Sequence, residues 1–112
     1  GRTAPCQPQV PACARLPGGA APSLFVDGIT MVGMPASAAF AFDAGDHLIQ
    51  TVVFFSGATP DLIEKLLQGI HGVPVDPQAT PPIWRDARRD SEITPLAVKD
   101  GVMLLYRPAK GR

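Results

Sequence analysis

The sequence predicts an α+β fold, a two-layer sandwich with one short helix on one face of an antiparallel sheet of about five strands, in the chain order β-β-β-α-β-β. Three observations support this prediction. The stretch FAFDAGDHLIQTVVFF, residues 40–55, places two apolar runs around a polar turn. A helical repeat of leucine and isoleucine follows in residues 59–72, and the segments ITPLAV and GVMLLYRP have the pattern of a last hairpin.

The first three strands are predicted before the helix. One begins at Ser23 and ends at the proline of position 35, and a second covers residues 38–42, where alanine and phenylalanine alternate. Residues 43–46, DAGD, have the composition of a turn, because glycine accepts positive φ and aspartate bonds to nearby backbone amides. The return strand is predicted over residues 47–55.

Residues 59–72 have the signals of a helix with one apolar face. Thr59 is a good N-cap, Pro60 suits the first helical position, and Gly72 is placed where a left-handed residue ends a helix. Such a helix is too short to be stable alone in water and must pack on the sheet. Its apolar side chains recur at helical spacing: Leu62, Ile63, Leu66, Leu67 and Ile70.

The first 22 residues are predicted to form a proline-rich arm, followed by a single domain over residues 23–112. Cys6 and Cys13 stand seven residues apart in PCQPQVPAC, without helical or strand patterning around them. We expect a disulfide between them, which stabilises a segment that lacks a core of its own. Disulfides persist in oxidising compartments, so the predicted location is a bacterial periplasm or the outside of a cell.

Composition excludes several classes of function. Ten basic and ten acidic residues balance, so no overall positive charge attracts nucleic acid. No apolar run approaches the roughly 20 residues of a membrane span. The sequence has no GxSxG, GxxxxGK[ST] or CxxC motif, and its serines lie scattered over predicted loops. We therefore expect a protein that is not an enzyme and that uses no cofactor.

Two small groups of residues suggest metal chemistry and also have simpler explanations. His47 follows Asp43 and Asp46, but a turn selects the same residues for backbone reasons. Met31 and Met34 carry the thioether ligands that Cu(I) prefers, yet three residues apart in a straight strand they face opposite sides. They reach one ion only if Gly33 bends the chain, and packing in the core is the alternative. No metal site is predicted.

The segment after the helix is predicted to be irregular. Residues 85–92, RDARRDSE, mix three arginines with three acids and show no apolar face, which favours a solvated loop. Trp84 stands alone between loops, and we expect it to pack over the edge of the core. His71, in the last helical turn, is expected to interact with the negative end of the helix dipole.

The return strand raises the main functional expectation, because it carries bulky apolar residues on both faces. One helix covers one face, and the arm offers few apolar groups for the other. A bare apolar face usually marks an interface. The predicted contacts with another protein, or with a second copy of the chain, are Ile49, Thr51, Val53 and Phe55, with Arg85, Arg88 and Arg89 at the rim.

The order of these elements also resembles a loose group of small exported bacterial domains. The quoted strand, turn and strand of residues 40–55, the segment LIEKLLQGIHGVP, the lone Trp84 and the final ITPLAV carry the resemblance, which covers roughly residues 24–107. Envelope-assembly lipoproteins and other periplasmic proteins share this plan. The resemblance implies an adaptor or a binding domain in the cell envelope and assigns no functional residue.

Together these observations predict a non-enzymatic periplasmic or secreted protein-binding domain, either an envelope adaptor or an inhibitor or immunity protein of a secreted effector. Two alternatives remain open at this point. One is a domain that binds a lipid or another apolar ligand between its layers. The other is a periplasmic protein that handles Cu(I) through Met31 and Met34.

Overall fold

The computed structural model describes residues 2–16, 19–76, 78–79 and 81–108, and over these residues the protein is mostly β. Seven strands form one antiparallel sheet in the order β1-β2-β3-β4-β7-β6-β5. A 3-10 helix covers Pro11–Cys13 and one α-helix, α1, covers Pro60–His71. The strands are β1 (Thr3–Pro5), β2 (Leu24–Met31), β3 (Met34–Phe42), β4 (Leu48–Ser56), β5 (Trp84–Asp86), β6 (Ser91–Val98) and β7 (Gly101–Pro108).

The predicted α+β sandwich with five strands is therefore wrong. The two strands that it missed are the sheet edges β1 and β5, each only three residues long. Such short segments cannot show the alternation by which a strand is recognised in a sequence. β1 lies in the proline-rich arm and pairs with the start of β2, while β5 lies in the segment expected to be a solvated loop.

A tight hairpin turn at Val32 and Gly33 separates β2 from β3. Both residues have positive φ, 46° and 78°, as in the two-residue turns that match the twist of paired strands. β2 thus ends at Met31, and Pro35 lies inside β3 instead of ending a strand. The pairing of β2 with β3 shifts between Val26 and Ile29, so β2 contains a bulge there.

A second register shift changes which face the side chains at the start of β4 occupy. Gln50 pairs with Ala41, but the next pair joins Leu48 to Phe42, so Ile49 is the extra residue of a bulge. A bulge reverses the alternation of side chains beyond it. Leu48 therefore lies on the same side of the sheet as Val53 and Phe55, where simple alternation placed Ile49.

The helix forms as predicted. The Thr59 side chain accepts a hydrogen bond from the Leu62 backbone amide at 3.3 Å, and Gly72 follows the helix with a φ of 82°. Ile63 and Leu67 are its buried residues. The helix packs against β5, β6 and β7, which make up one half of the sheet.

The arm covers the opposite face of the sheet. Ala12 and Leu16 are buried there, in one cluster with Val52 and Phe54 of β4 and with residues of β3 and β7. The predicted disulfide between Cys6 and Cys13 is present and packs against this cluster. The face that the sequence left without a cover is thus closed by the chain itself.

Gln50 fixes the course of the arm across this face. Its side-chain oxygen accepts a hydrogen bond from the Ala20 backbone amide at 2.9 Å, and its side-chain nitrogen donates to the Ala20 carbonyl at 3.2 Å. The side chain is buried, so both hydrogen bonds replace water that it has lost. A polar residue in the middle of an apolar strand therefore holds the arm in place.

Removal of the disulfide by Cys6→Ser with Cys13→Ser should lower the free energy of unfolding by about 2.5 kcal/mol, because a small closed loop no longer restricts the unfolded chain. Urea unfolding of the oxidised protein and of the double variant measures this difference. Chemical reduction of the unmutated protein should give the same loss. Equal stability of the oxidised protein and the double variant would contradict the stabilising role of the closed arm.

Two phenylalanines of neighbouring strands provide a matched test of the core. Phe55 is 1% exposed and Phe42 is 37% exposed. We expect Phe55→Ala to cost about 3–5 kcal/mol, because a buried aromatic ring leaves a cavity. Phe42→Ala should cost clearly less. Denaturant midpoints of both variants measure the contrast, and similar losses would show that the assigned burial of Phe55 is wrong.

Candidate functional site

A cavity lies on the helix side of the sheet, over the half that α1 does not cover. Its volume is about 640 Å³, within the range of 300–1,000 Å³ that small-molecule sites usually have. The floor is formed by β2, β3, β4 and β7, and α1 forms one wall. The apolar lining residues are Ile29, Met31, Val32, Ala38, Phe40, Leu48, Val53, Phe55, Ile63, Leu66, Leu67, Ile70 and Leu104.

The cavity has a well-packed floor and an apolar rim. Val53 and Phe55 are almost completely buried and belong to the same core cluster as Ile63 of the helix. Val32, Leu48 and Ile70 also line the cavity, but their side chains are exposed to solvent. Large exposed apolar residues beside an apolar cavity are a feature of sites that a ligand or partner covers.

Polar side chains gather at one end of this cavity, where the turn between β5 and β6 meets β7. The Asp86 side chain is 5% exposed, and its Oδ2 accepts a hydrogen bond from Arg89 Nη1 at 2.8 Å. Its Oδ1 accepts from the backbone amides of Arg88 and Arg89 at 3.1 and 3.3 Å. These donors, led by the Arg89 side chain, lower the pKa of Asp86. Asp86 therefore stays ionised and holds Arg89 in position.

Tyr106 adds a hydroxyl group to the polar end. It is the partner of Thr51 across β4 and β7 and of Ile93 across β6, and it lines the cavity with Asp86, Arg89 and Ser91. Burial raises the pKa of Tyr106, so the phenol remains neutral. The side chain is partly buried and lines the cavity, so its hydroxyl is placed to donate a hydrogen bond to a molecule bound there.

The structure brings together only part of the predicted binding surface. Thr51, Val53 and Phe55 line the cavity, on the face that the helix shares. Ile49 is half-buried and is absent from the cavity lining among the described residues, because the β4 bulge gives that place to Leu48.

The three predicted rim arginines have different surroundings. Arg89 lines the cavity and pairs with Asp86, as described above. Arg85 pairs with Asp90, with 2.6 Å between Nη2 and Oδ1, and does not line the cavity. Arg88 is exposed, and its backbone amide bonds to Asp86. Only one of the three side chains therefore contributes to this site.

The other candidate residues have structural roles in the described chain. Asp43 Oδ1 accepts hydrogen bonds from the backbone amides of Gly45 and His47 and lies 3.3 Å from His47 Nδ1. The hydrogen bond from the His47 amide is the main cause that lowers the pKa of Asp43. This arrangement organises an exposed turn. Trp84 is buried, and its Nε1 donates to the Gly72 carbonyl at 2.9 Å. It closes the core at the helix end, as expected.

Met31 and Met34 are direct partners across the β2–β3 turn, because Gly33 does bend the chain there. Both are partly buried against the helix-side core, and Met31 lines the cavity. Packing accounts for both thioethers. Among the residues that the structure describes, no group of three or more His, Cys, Asp or Glu side chains is arranged to hold a metal ion.

Sequence reasoning missed the most informative residues of the site, Asp86 and Tyr106. Asp86 lies in a run of alternating charges, and nothing in that run distinguishes a buried carboxylate from an exposed one. Tyr106 belongs to a predicted strand, but its neighbours at the polar end come from a turn about 17 residues earlier in the chain. The segment RDARR did contain a usable signal for Asp86. An aspartate in a loop often accepts hydrogen bonds from the backbone amides two and three residues later in the chain.

Comparisons with known proteins assign no family to this chain: no family model matches it, and neither a curated protein nor a solved structure does. Within the described residues, no helix has the length and apolar content that a membrane crossing requires.

The ion pair at the polar end predicts a dependence of stability on pH. Because the folded state lowers the pKa of Asp86, the pair stabilises the fold above the ordinary aspartate value of 3.8, and this contribution is lost as the pH falls through the lower folded value. Asp86→Asn should thus be less stable than the parent at neutral pH, and the difference should narrow on acidification. Arg88→Gln is the control, and its difference in stability from the parent should not change with pH. Urea unfolding from neutral pH down to below the ordinary aspartate pKa measures both variants. A stability difference for Asp86→Asn that does not change with pH would contradict the lowered pKa of Asp86.

Proposed function

We propose that this chain is a non-enzymatic binding domain that holds the aliphatic part of an amphipathic molecule in its cavity. The observation that carries the proposal is the apolar cavity itself, which lies between α1 and the uncovered half of the sheet. Among the described residues, thirteen apolar residues line it, and its polar lining residues are Thr51, His71, Asp86, Arg89, Ser91 and Tyr106. A largely apolar pocket with a few convergent polar groups is the usual form of a small-molecule site.

The proposed location is a periplasm or the outside of a cell. The disulfide between Cys6 and Cys13 supports it, because such bonds are rare in reducing compartments. An exported carrier or sensor of amphiphiles also suits an apolar site, since these molecules have low solubility in water and need protein cover.

A protein partner is the second candidate, and the exposed rim favours it. Val32, Leu48 and Ile70 surround the cavity with apolar surface that a small ligand does not fully cover. An apolar side chain of a partner inserted into the cavity would bury both the floor and the rim. Envelope adaptors and inhibitors of secreted effectors act through contacts of this kind. Thr51, Val53, Phe55 and Arg89 would then belong to that interface.

Filling the cavity provides the test of the proposed function. Thr51 is half-buried in the cavity floor, so Thr51→Phe should occupy part of the space and weaken the binding of dodecanol at least tenfold. Thr30→Phe is the matched control, because Thr30 lies exposed on β2 outside the cavity lining. Isothermal titration calorimetry with dodecanol measures both variants beside the parent.

Two results would contradict the proposal. One is a parent protein that binds neither dodecanol nor dodecanoate. The other is equal binding by Thr51→Phe and Thr30→Phe, which would place the ligand elsewhere. If the parent binds no amphiphile but Val32→Ser with Ile70→Ser abolishes its association with a co-purified protein, the second candidate takes its place.

A further inference from the structure

We propose that the occupant of the cavity is an aliphatic carboxylic acid, whose carboxylate lies between the guanidinium group of Arg89 and the hydroxyl of Tyr106. This inference rests on the proposed function and adds the chemical class of the ligand. It comes from the arrangement of the polar end, where the Arg89 guanidinium, paired with Asp86, and the Tyr106 hydroxyl adjoin a mostly apolar cavity.

Arg89 has the donors that a carboxylate needs. A guanidinium carries five N–H groups, and the structure commits the Nη1 side to Asp86 Oδ2 at 2.8 Å. The side chain is 77% exposed, so its remaining donors are accessible to a ligand. Arginine binds carboxylates through paired, charge-assisted hydrogen bonds, which are stronger than bonds between neutral groups.

Asp86 is a buried partner that positions the Arg89 side chain. Asp86 is buried and already accepts three hydrogen bonds, from two backbone amides and from Arg89 Nη1. These donors stabilise its negative charge, which reduces its repulsion of a second carboxylate. Arg89 is also held in one place before the ligand arrives, and a pre-positioned donor loses less conformational entropy on binding.

Tyr106 supplies the second donor. Its side chain lines the cavity together with Asp86 and Arg89, and the phenol stays protonated because burial raises its pKa. A neutral phenol beside a guanidinium donates to an anion. A ligand with an ammonium head would meet Arg89 instead, so a cationic amphiphile does not suit this end.

The rest of the cavity fits an aliphatic chain. Phe40 and Thr51 are partners in neighbouring strands, and Thr51 is in turn the partner of Tyr106, so one row of the sheet leads from the polar end into the apolar floor. Leu66 and Ile70 of the helix line the facing wall. A carboxylate bound at Tyr106 would therefore have its chain on Phe40 and Val53, beside the helix.

The test compares dodecanoate with dodecanol, which share a chain length and differ in the head group. By titration calorimetry, the parent protein should bind dodecanoate about tenfold more tightly, as expected for a hydrogen bond to a charged group. Arg89→Gln should remove this preference, because it should lower the affinity for dodecanoate much more than the affinity for dodecanol. Arg88→Gln, an adjacent exposed arginine outside the cavity lining, is the matched control and should retain it.

Arg89→Gln leaves Asp86 without its side-chain partner and can therefore destabilise the fold. Tyr106→Phe is a second test that does not disturb this pair. This variant retains the ring and removes only the hydroxyl, so it should lower the affinity for dodecanoate several-fold more than that for dodecanol. Thermal unfolding of each variant verifies that it is folded before titration.

The possible outcomes distinguish a failure of the head-group assignment from a failure of the proposed function. Equal affinity of the parent for dodecanoate and dodecanol, unchanged by Arg89→Gln or Tyr106→Phe, would overturn the head-group assignment and leave the apolar binding function intact. Absence of binding to both compounds would overturn the proposed function itself. A preference for dodecanoate that Arg88→Gln removes would place the anion outside the cavity and also overturn the assignment.

Discussion

The architecture depends on a mismatch between the width of the sheet and the size of its helix. Seven strands span about 29 Å at about 4.8 Å per spacing, whereas an α-helix is only about 10 Å across. The one α-helix of the described chain therefore covers the half formed by β5, β6 and β7. β2, β3 and β4 keep an apolar surface on the helix side, and the cavity is the space above that surface.

The two faces of the sheet are covered in different ways. The arm face is closed by buried Ala12 and Leu16, by the disulfide and by the side-chain hydrogen bonds of Gln50. The helix face is packed at one side and open at the other. β4 takes part in both, with Val52 in the arm-face cluster and Val53 in the helix-side core. The arm thus closes one face, while the other face is closed by α1 only in part and keeps a cavity beside it.

The sequence was sufficient for the helix, the disulfide and the central strands, because each has a local signal in capping residues, cysteine spacing or alternation. It was not sufficient for β1 and β5, which exist only because a neighbouring strand offers its edge. Nor did it reveal that Ile49 lies in a bulge, since a register shift depends on the partner strand. The sequence correctly indicated that one helix is too small to cover the apolar surface of the sheet. The uncovered surface, however, lies beside the helix, and the arm covers the opposite face.

The polar end of the cavity follows from the same short edge strand that the sequence did not reveal. β5 places Asp86 at its last position, where the chain turns towards β6, and the buried carboxylate binds the amides of that turn. The same carboxylate binds the Arg89 side chain, which lines the cavity together with Tyr106. One residue thus stabilises the turn and fixes the charge that faces the cavity. Because the two roles share Asp86, a rearrangement of this edge of the sheet would also alter the polar end of the cavity.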